Sequence, residues 1–364
     1  MKKSDYAAMA NQLKLTPQPV VDAIEDLNEW VCLHYKFKLL LQAILNAING
    51  RSRDLLIVVL GPARVGKTTL FEAVAGILDE LAKQAGRSRG CFRFSVPSPN
   101  KLGRFDWKAA ITRAYVSAGE ILPFAKIKYH DITEGAPRNK PGVADEDALW
   151  ESFVKNIRLE KLVTLVDEGN TIPVTLSELQ VTRAIHSLKD IVAQTRQPLL
   201  IFGTSAVRHI VEHDTQLKVR TKMLRFDVYG DLKVDLESFA IFIGEMEKRL
   251  GPEFCVPDSL SPHAAEIRRG TDGRSGLVVR VATDALSQYG HVRRLDWDLY
   301  KKFLDELAAS SGEDLAEERR VTNKPIIAAA EVPLARGTTK SEKVERNGRV
   351  GATKNTNARN HPFS

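Results

Sequence analysis

Residues 55–70 read LLIVVLGPARVGKTTL, an apolar run that stops at a glycine and reaches Gly-Lys-Thr after four further residues. A continuous Leu/Ile/Val run is the pattern of a strand buried on both faces. Gly61, Gly66, Lys67 and Thr68 then satisfy G-x-x-x-x-G-K-[ST], the loop whose backbone N–H groups curl around a nucleotide phosphate. The cradle expected here is Gly61, Pro62, Ala63, Arg64, Val65, Gly66, Lys67, Thr68 and Thr69. Lys67 neutralises the β/γ oxygens, Thr68 offers its hydroxyl to Mg²⁺, and the helix that begins here aims its positive end at the anion. ATP with Mg²⁺ is the expected ligand. An ordinary glycine-rich turn would need neither the buried strand before it nor the helix after it.

Two later segments fit the same chemistry. LVTLVDEGN (162–170) is an apolar strand that delivers Asp167 and Glu168. Asp167 is placed to hold the Mg²⁺ shell and Glu168 to polarise the attacking water. On its own, an acidic pair after a strand is more often a helix cap; the upstream phosphate loop tips the balance towards function. LLIFGTSAVRHI (199–210) ends a strand at Gly203, Thr204 and Ser205. Where a strand is inserted between the phosphate-loop strand and the acidic strand, a polar residue here touches the γ-phosphate and the water. Thr204 and Ser205 are both candidates, and simple capping competes on even terms.

The rest of the chain supplies the frame. Apolar runs at 55–60, 91–96, 162–166 and 198–202 alternate with helical patterns at 67–85, 107–119, 149–156 and 176–195. Such alternation implies an α/β fold with a parallel sheet wrapped by helices. The expected division is an N-terminal helical extension (1–50), a P-loop core (51–230), a helical lid (231–312) and a disordered basic tail (313–364).

Net charge is +7, but residues 320–364 hold nine Lys/Arg against three acids, leaving about +1 for the remainder. The body is therefore not a basic protein, and any nucleic-acid surface on it is a local patch. Cys32, Cys91 and Cys255 fit no metal spacing or disulfide framework, which points to a reducing, cytoplasmic setting. No run of about 18 apolar residues exists, so no membrane span is expected, and the start has no signal-peptide core.

The order phosphate loop, DE strand, GTS strand and helical lid resembles an AAA+ ATPase. More narrowly, the chain is similar to the transposition regulators TniB and TnsC and to the phage protein MuB. The likeness rests on LHYKFKLLLQAI, FSVPSPNKLGRFDWKAAITRAYVSAG, LLIFGTSAVRHIVEHDTQLKVRTKMLRFDVY and GTDGRSGLVVRVATDAL, and spans roughly residues 30–300. It implies an ATP-dependent oligomer on duplex DNA, in a filament or ring, that marks a target and recruits or activates a transposase, with a further target-selection factor as a possible partner. It also implies slow hydrolysis and a trans-acting arginine from the neighbouring subunit. Arg220 and Arg225 both match that position, and as sequence each is equally well a surface arginine.

Lys101 and Arg104 fall in the loop that faces DNA in such oligomers; without the resemblance they read as a solvated loop. The lid has Gly276 and Leu277 where many relatives carry a γ-phosphate arginine, with Arg274 and Arg280 flanking. Lys126, Lys128, Arg138 and Lys140 form a weaker basic candidate. DNA binding is expected to be salt-sensitive and largely sequence-independent. A helicase-loader role, or a signalling ATPase without DNA, are the alternatives.

Overall fold

The computed structural model describes residues 16–50, 56–97, 106–117, 146–172, 178–212 and 215–309. The central sheet has five parallel strands, β1 (Leu56–Leu60), β2 (Cys91–Ser95), β3 (Val163–Asp167), β4 (Leu199–Gly203) and β5 (Thr221–Arg225), in the order β2-β3-β4-β1-β5. Both faces are covered, which is why the interior strands read as unbroken apolar runs. In β1, Leu56, Val58 and Leu60 join the core on one face, and Ile57 and Val59 join the core on the other.

On the first face lie α4 (Trp107–Ser117), α5 (Glu146–Glu160) and α6 (Glu178–Thr195), whose buried side chains share a core with Phe92, Val166 and Ile201. On the second face, α2 (Tyr35–Asn49) and α3 (Lys67–Gln84) cover Leu165, Leu200 and Phe202. Two short helices, α7 (Arg208–Glu212) and α8 (Thr215–Arg220), lead into β5.

The fifth strand is a correction to the sequence reading, which gives four. TKMLR carries Lys222 and Arg225 outward and leaves its other side chains half-buried. It pairs only with β1, so it is an edge strand, and edge strands lack the continuous apolar signature of interior ones. A second correction concerns residues 1–50. α1 (Gln18–Glu29) and α2 are separate helices, because Trp30–His34 runs extended between them. Alternate residues turn inward there: Trp30 stacks on Phe242 at 5.8 Å and His34 packs against Phe226 and Tyr229.

The remaining helices form a separate core of their own. They are α9 (Lys233–Phe254), α10 (Ala264–Gly270), α11 (Ser275–Tyr289) and the helical residues 297–309. Val20 and Leu27 of α1 belong to this core, whereas Phe37, Leu40 and Ile44 of α2 belong to the sheet's. The chain after residue 309 and the segment 118–145 lie outside the described residues. Among those described, no helix is long and apolar enough to cross a membrane.

A polar cluster joins the two cores. Lys36 Nζ donates to Val228 O (2.7 Å) and Asp235 Oδ2 (2.8 Å), and the same carboxylate oxygen accepts from Gly230 N (2.7 Å). His34 Nδ1 caps α2 by accepting from Phe37 N (3.3 Å) and lies 2.6 Å from Tyr229 Oη. Burial, and secondarily the Lys36 ammonium, pushes the His34 pKa down to about 4. The unfolded chain takes up this proton near pH 6.5, whereas the folded protein resists it down to about pH 4. Stability from this site is therefore complete above about pH 6.5 and is lost as pH falls towards 4, by up to roughly 3 kcal/mol. His34→Asn keeps a capping side chain but removes the titration. Urea midpoints for that variant between pH 7 and 4 are expected to fall less steeply than the parent's.

Candidate functional site

At the C-terminal edge of the sheet, β1 is laced to both neighbours as it becomes the phosphate loop. Gly61 N donates to Gly203 O at the end of β4 (3.0 Å), and Phe226 N donates to Leu60 O from the end of β5 (2.7 Å). The Phe226 ring is buried, and its edge would stand 3.8 Å from a Cβ at Gly66. It forms the floor of the loop. The sequence reading gives this segment a role through Arg225 and assigns none to Phe226.

Arg64 and Gly66 take left-handed backbone, at φ 61 and φ 100, and α3 starts at Lys67. The loop thus narrows into a helix N-terminus with Thr68 and Thr69 in its first turn. Lys67 Nζ folds back onto the start of the loop, donating to Gly61 O (2.9 Å) and Pro62 O (2.5 Å).

The acidic strand arrives next to this helix. Asp167, only 5% exposed, accepts from Thr68 Oγ1 (3.0 Å) through Oδ2 and from Glu168 N (2.8 Å) through Oδ1. Glu168 is exposed and left-handed, at φ 55. That turn breaks the strand and releases its carboxylate from the sheet. Gly169 N then donates to Phe202 O (2.8 Å). A Cβ on Gly169 would sit 2.4 Å from Ile201 Cγ2, and one on Gly203 would sit 2.3 Å from Val207 Cγ2 and 3.1 Å from Asn170 N. The DEGN turn and the end of β4 therefore approach as closely as backbones allow. Thr204 stands at the N-cap of the short 3₁₀ turn Ser205–Val207 without a side-chain cap bond, so both residues follow β4 at the sheet edge between β1 and β3. Sequence reasoning missed Asn170 beside them; only its place after DEG hints at it.

The helical unit closes on the loop from the other side. Arg274, 4% exposed, donates from Nη1 to Ala63 O (3.2 Å) and pairs with Asp272 Oδ2 (3.4 Å). Ser275 Oγ donates to Val65 O (3.0 Å), and Gly276 N to Arg64 O (2.9 Å). Both glycines of the Gly-x-x-Gly stretch Gly273–Gly276, within GTDGRSGLVVRVATDAL, are sterically required. A Cβ on Gly276 would fall 2.5 Å from Arg64 O; Gly273 has φ +67 and its Cβ would fall 2.1 Å from Tyr229 O. Of the two arginines flanking Gly276 and Leu277, Arg274 reaches the loop, whereas Arg280 pairs with Asp284 (3.5 Å).

Arg220 ends α8 and Arg225 ends β5; both are exposed. Arg225 Nε lies 3.4 Å from Asp227 Oδ1. Lys101 and Arg104 lie outside the described residues, as do Lys126, Lys128, Arg138 and Lys140.

No protein-family profile matches the sequence, and no curated protein matches it. The structure is similar to the ORC2 protein of Aeropyrum pernix, solved as ADPNP–ADP complexes, with a TM-score of 0.51 at 15% identity over 79% of this chain and 72% of that one. A Walker-type ATPase of Pyrococcus abyssi aligns with a TM-score of 0.49 at 13% identity over 78% of this chain and 75% of that one. The fold is of the P-loop AAA+ type.

In this AAA+ fold β4 is the strand inserted between the phosphate-loop strand and the acidic strand, the arrangement expected from GTS. The donor set also fits a hard cation. Two ligand oxygens on neighbouring vertices of an octahedral Mg²⁺ stand about 3 Å apart, the separation of Thr68 Oγ1 and Asp167 Oδ2 (3.0 Å). Among the described residues, no group of three or more His, Cys, Asp or Glu is arranged to hold a metal. An ion at this pair would therefore need phosphate oxygens and water for its other ligands.

Gly169→Ala tests the tight turn. The added methyl must push aside Ile201, and with it the Glu168 backbone. A loss of about 1–3 kcal/mol in urea denaturation is expected, and an unchanged midpoint would show that the turn has slack.

Proposed function

We propose that this chain is an ATPase whose nucleotide state governs its assembly on duplex DNA, and that it acts as a regulator of DNA transposition. The observation that carries the nucleotide part is the meeting of Thr68 Oγ1 and Asp167 Oδ2 at 3.0 Å, with Lys67 and Glu168 next to them in the chain. The loop amides and Lys67 hold the β- and γ-phosphates. Thr68 and Asp167 would hold Mg²⁺, which when bound would supply charge neutralisation at the phosphate oxygens. Glu168 accepts the proton of the attacking water, and Thr204 or Ser205 orients it. In this reading residues 51–230 are the ATPase core, 231–312 the lid, 1–50 an N-terminal extension and 313–364 a basic tail.

The transposition part rests on the segments that resemble TniB, TnsC and MuB. Lys101 and Arg104 are its DNA contacts, a transposase, alone or with a target-selection factor, its partner, and the oligomer a filament or ring. Of the two candidate trans arginines, geometry favours Arg220. Arg225 stands in register with Leu60 at the phosphate-loop edge, whereas Thr221 pairs with Leu56 at the far edge. Arg220 is thus about 16 Å along the strand from its own loop. An open head-to-tail contact needs complementary groups on different faces of one subunit, and Arg220 meets that need.

The deciding experiment is binding to a random-sequence duplex without nucleotide, with ADP and with a non-hydrolysable ATP analogue, at two salt concentrations, imaged by negative-stain microscopy. Analogue-dependent filaments or rings that weaken with salt are expected; no nucleotide-dependent association would remove the DNA role and favour a signalling ATPase. Dependence on a replicative helicase rather than a transposase would favour a loader. Glu168→Gln is expected to trap the oligomer on DNA, and release as fast as the parent's would show that hydrolysis does not time its dissociation. Arg220→Ala is expected to cut hydrolysis by 10³-fold or more, on the order seen for arginine fingers, while leaving nucleotide binding intact. Arg225→Ala is expected to do so far less; the reverse ranking in a steady-state ATPase assay would exchange their roles.

A further inference from the structure

We propose that Arg274, Ser275 and Gly276 are positioning residues for the phosphate loop: they hold three successive loop carbonyls from the lid side and so aim the following amides at the bound phosphates. The proposal rests on the reading of the loop as a nucleotide site. It assigns Arg274 a task other than direct contact with the γ-phosphate.

The chemistry follows from peptide planarity. In a trans peptide the C=O of one residue and the N–H of the next point in opposite directions. Arg274 Nη1, Gly276 N and Ser275 Oγ take up the carbonyls of Ala63, Arg64 and Val65 at 3.2, 2.9 and 3.0 Å. The N–H groups of Arg64, Val65 and Gly66 are thereby turned away from the lid, into the hollow of the loop. A nest of amides binds an anion well only if the amides are already aimed, because otherwise binding has to order them. The loop includes a non-glycine left-handed residue, Arg64 at φ 61, a conformation that persists only where the surroundings enforce it. The enforcing groups are at hand. Gly276 lies too close to Arg64 O to bear a side chain, and Arg274 and Ser275 are almost fully buried against the loop.

This role makes a prediction that a γ-phosphate contact does not. Aimed amides serve the phosphates that ADP and ATP share, so losing a lid contact weakens both ligands by the same factor. A γ-phosphate arginine is felt by the triphosphate alone. The test measures ADP and a non-hydrolysable ATP analogue binding to the full chain by isothermal titration, for the parent, Ser275→Ala, Arg274→Ala and Tyr300→Phe. Ser275→Ala removes one hydroxyl and is expected to weaken both ligands roughly three- to tenfold. Arg274→Ala is expected to weaken both by about tenfold or more, with the ADP-to-analogue ratio unchanged.

Tyr300→Phe is the control for general loosening of the lid. It removes a hydrogen bond to Val278 O (3.2 Å) inside the lid core and touches no loop atom. It is expected to lower the melting temperature while leaving both affinities within twofold. A loss confined to the ATP analogue in Arg274→Ala would overturn the proposal in favour of direct phosphate contact. Unchanged affinities in both lid-contact variants, or an equal loss in Tyr300→Phe, would overturn it in favour of incidental packing. A parent that binds neither nucleotide would overturn the phosphate-site reading itself, an outcome distinct from each of these.

Discussion

The geometry of the candidate site depends on one short stretch of backbone, residues 61–66, being held from three directions. β4 holds it through Gly203 O, β5 through Phe226, and the lid through three successive carbonyl contacts. The magnitudes make the lid contacts significant. A non-glycine residue in left-handed backbone costs about 1–2 kcal/mol, and a net protein hydrogen bond contributes about 0.5–1.5 kcal/mol. Two or three such bonds are enough to offset the strain at Arg64; none would leave the loop free to relax. The loop's shape is therefore a property of two packed cores meeting, and not of the Gly-rich sequence alone.

The same logic explains why the acidic side of the site is so compact. Parallel strands end together, so Leu60, Asp167 and Gly203 reach one edge of the sheet. Bringing Asp167 to Thr68 then requires the turn after β3 to lie flat on β4. Gly169 and Gly203 permit this by having no Cβ where Ile201 and Val207 already stand. Glu168 takes the left-handed turn between Asp167 and Gly169. One carboxylate is thus fixed against the helix while the next in sequence is held out towards solvent. Adjacent residues with one fixed and one free carboxylate suit separate tasks, one binding a cation and one moving a proton.

Much of this was legible in the sequence, for physical reasons. Unbroken apolar runs mark strands covered on both faces, and β1, β3 and β4 were found within a residue of their observed limits. The G-x-x-x-x-G-K-T spacing fixed the loop, and the alternation of strands and helices fixed the class. β5 was not legible, because an edge strand exposing Lys222 and Arg225 has no such run. The extended break at Trp30–His34 was hidden because its inward residues pack on Phe242 and Tyr229, some 200 positions away. Ser275 and Phe226 could not be picked out for the same reason. Their function is contact with a loop distant in the chain, and local periodicity does not encode distance. The Gly-x-x-Gly stretch was a visible signal, but it took the close approach to Arg64 and Tyr229 to show what the glycines are for.

The junction between the two cores shows how such a loop contact can matter beyond its own site. The segment 228–235 leaves the sheet beside Phe226 and starts α9. It is held by Lys36, which bonds Val228 O and Asp235 at once, and by the close approach of Gly273 to Tyr229. A lid that moved away from the loop would have to stretch this same segment, since Tyr229 N donates to Gly273 O (3.0 Å), three residues before Gly276. Lid position, loop shape and the chain's exit from β5 are therefore mechanically one problem. Arg220, at the end of α8, and Arg225, at the end of β5, flank the strand that feeds that exit. Loop and β5 are thus linked by a short run of hydrogen bonds and chain: Gly276 N to Arg64 O, Tyr229 N to Gly273 O, and the backbone from Tyr229 back to Arg225. The Gly276 and Gly273 links are backbone contacts, and the Arg274 and Ser275 side chains brace them on the loop side.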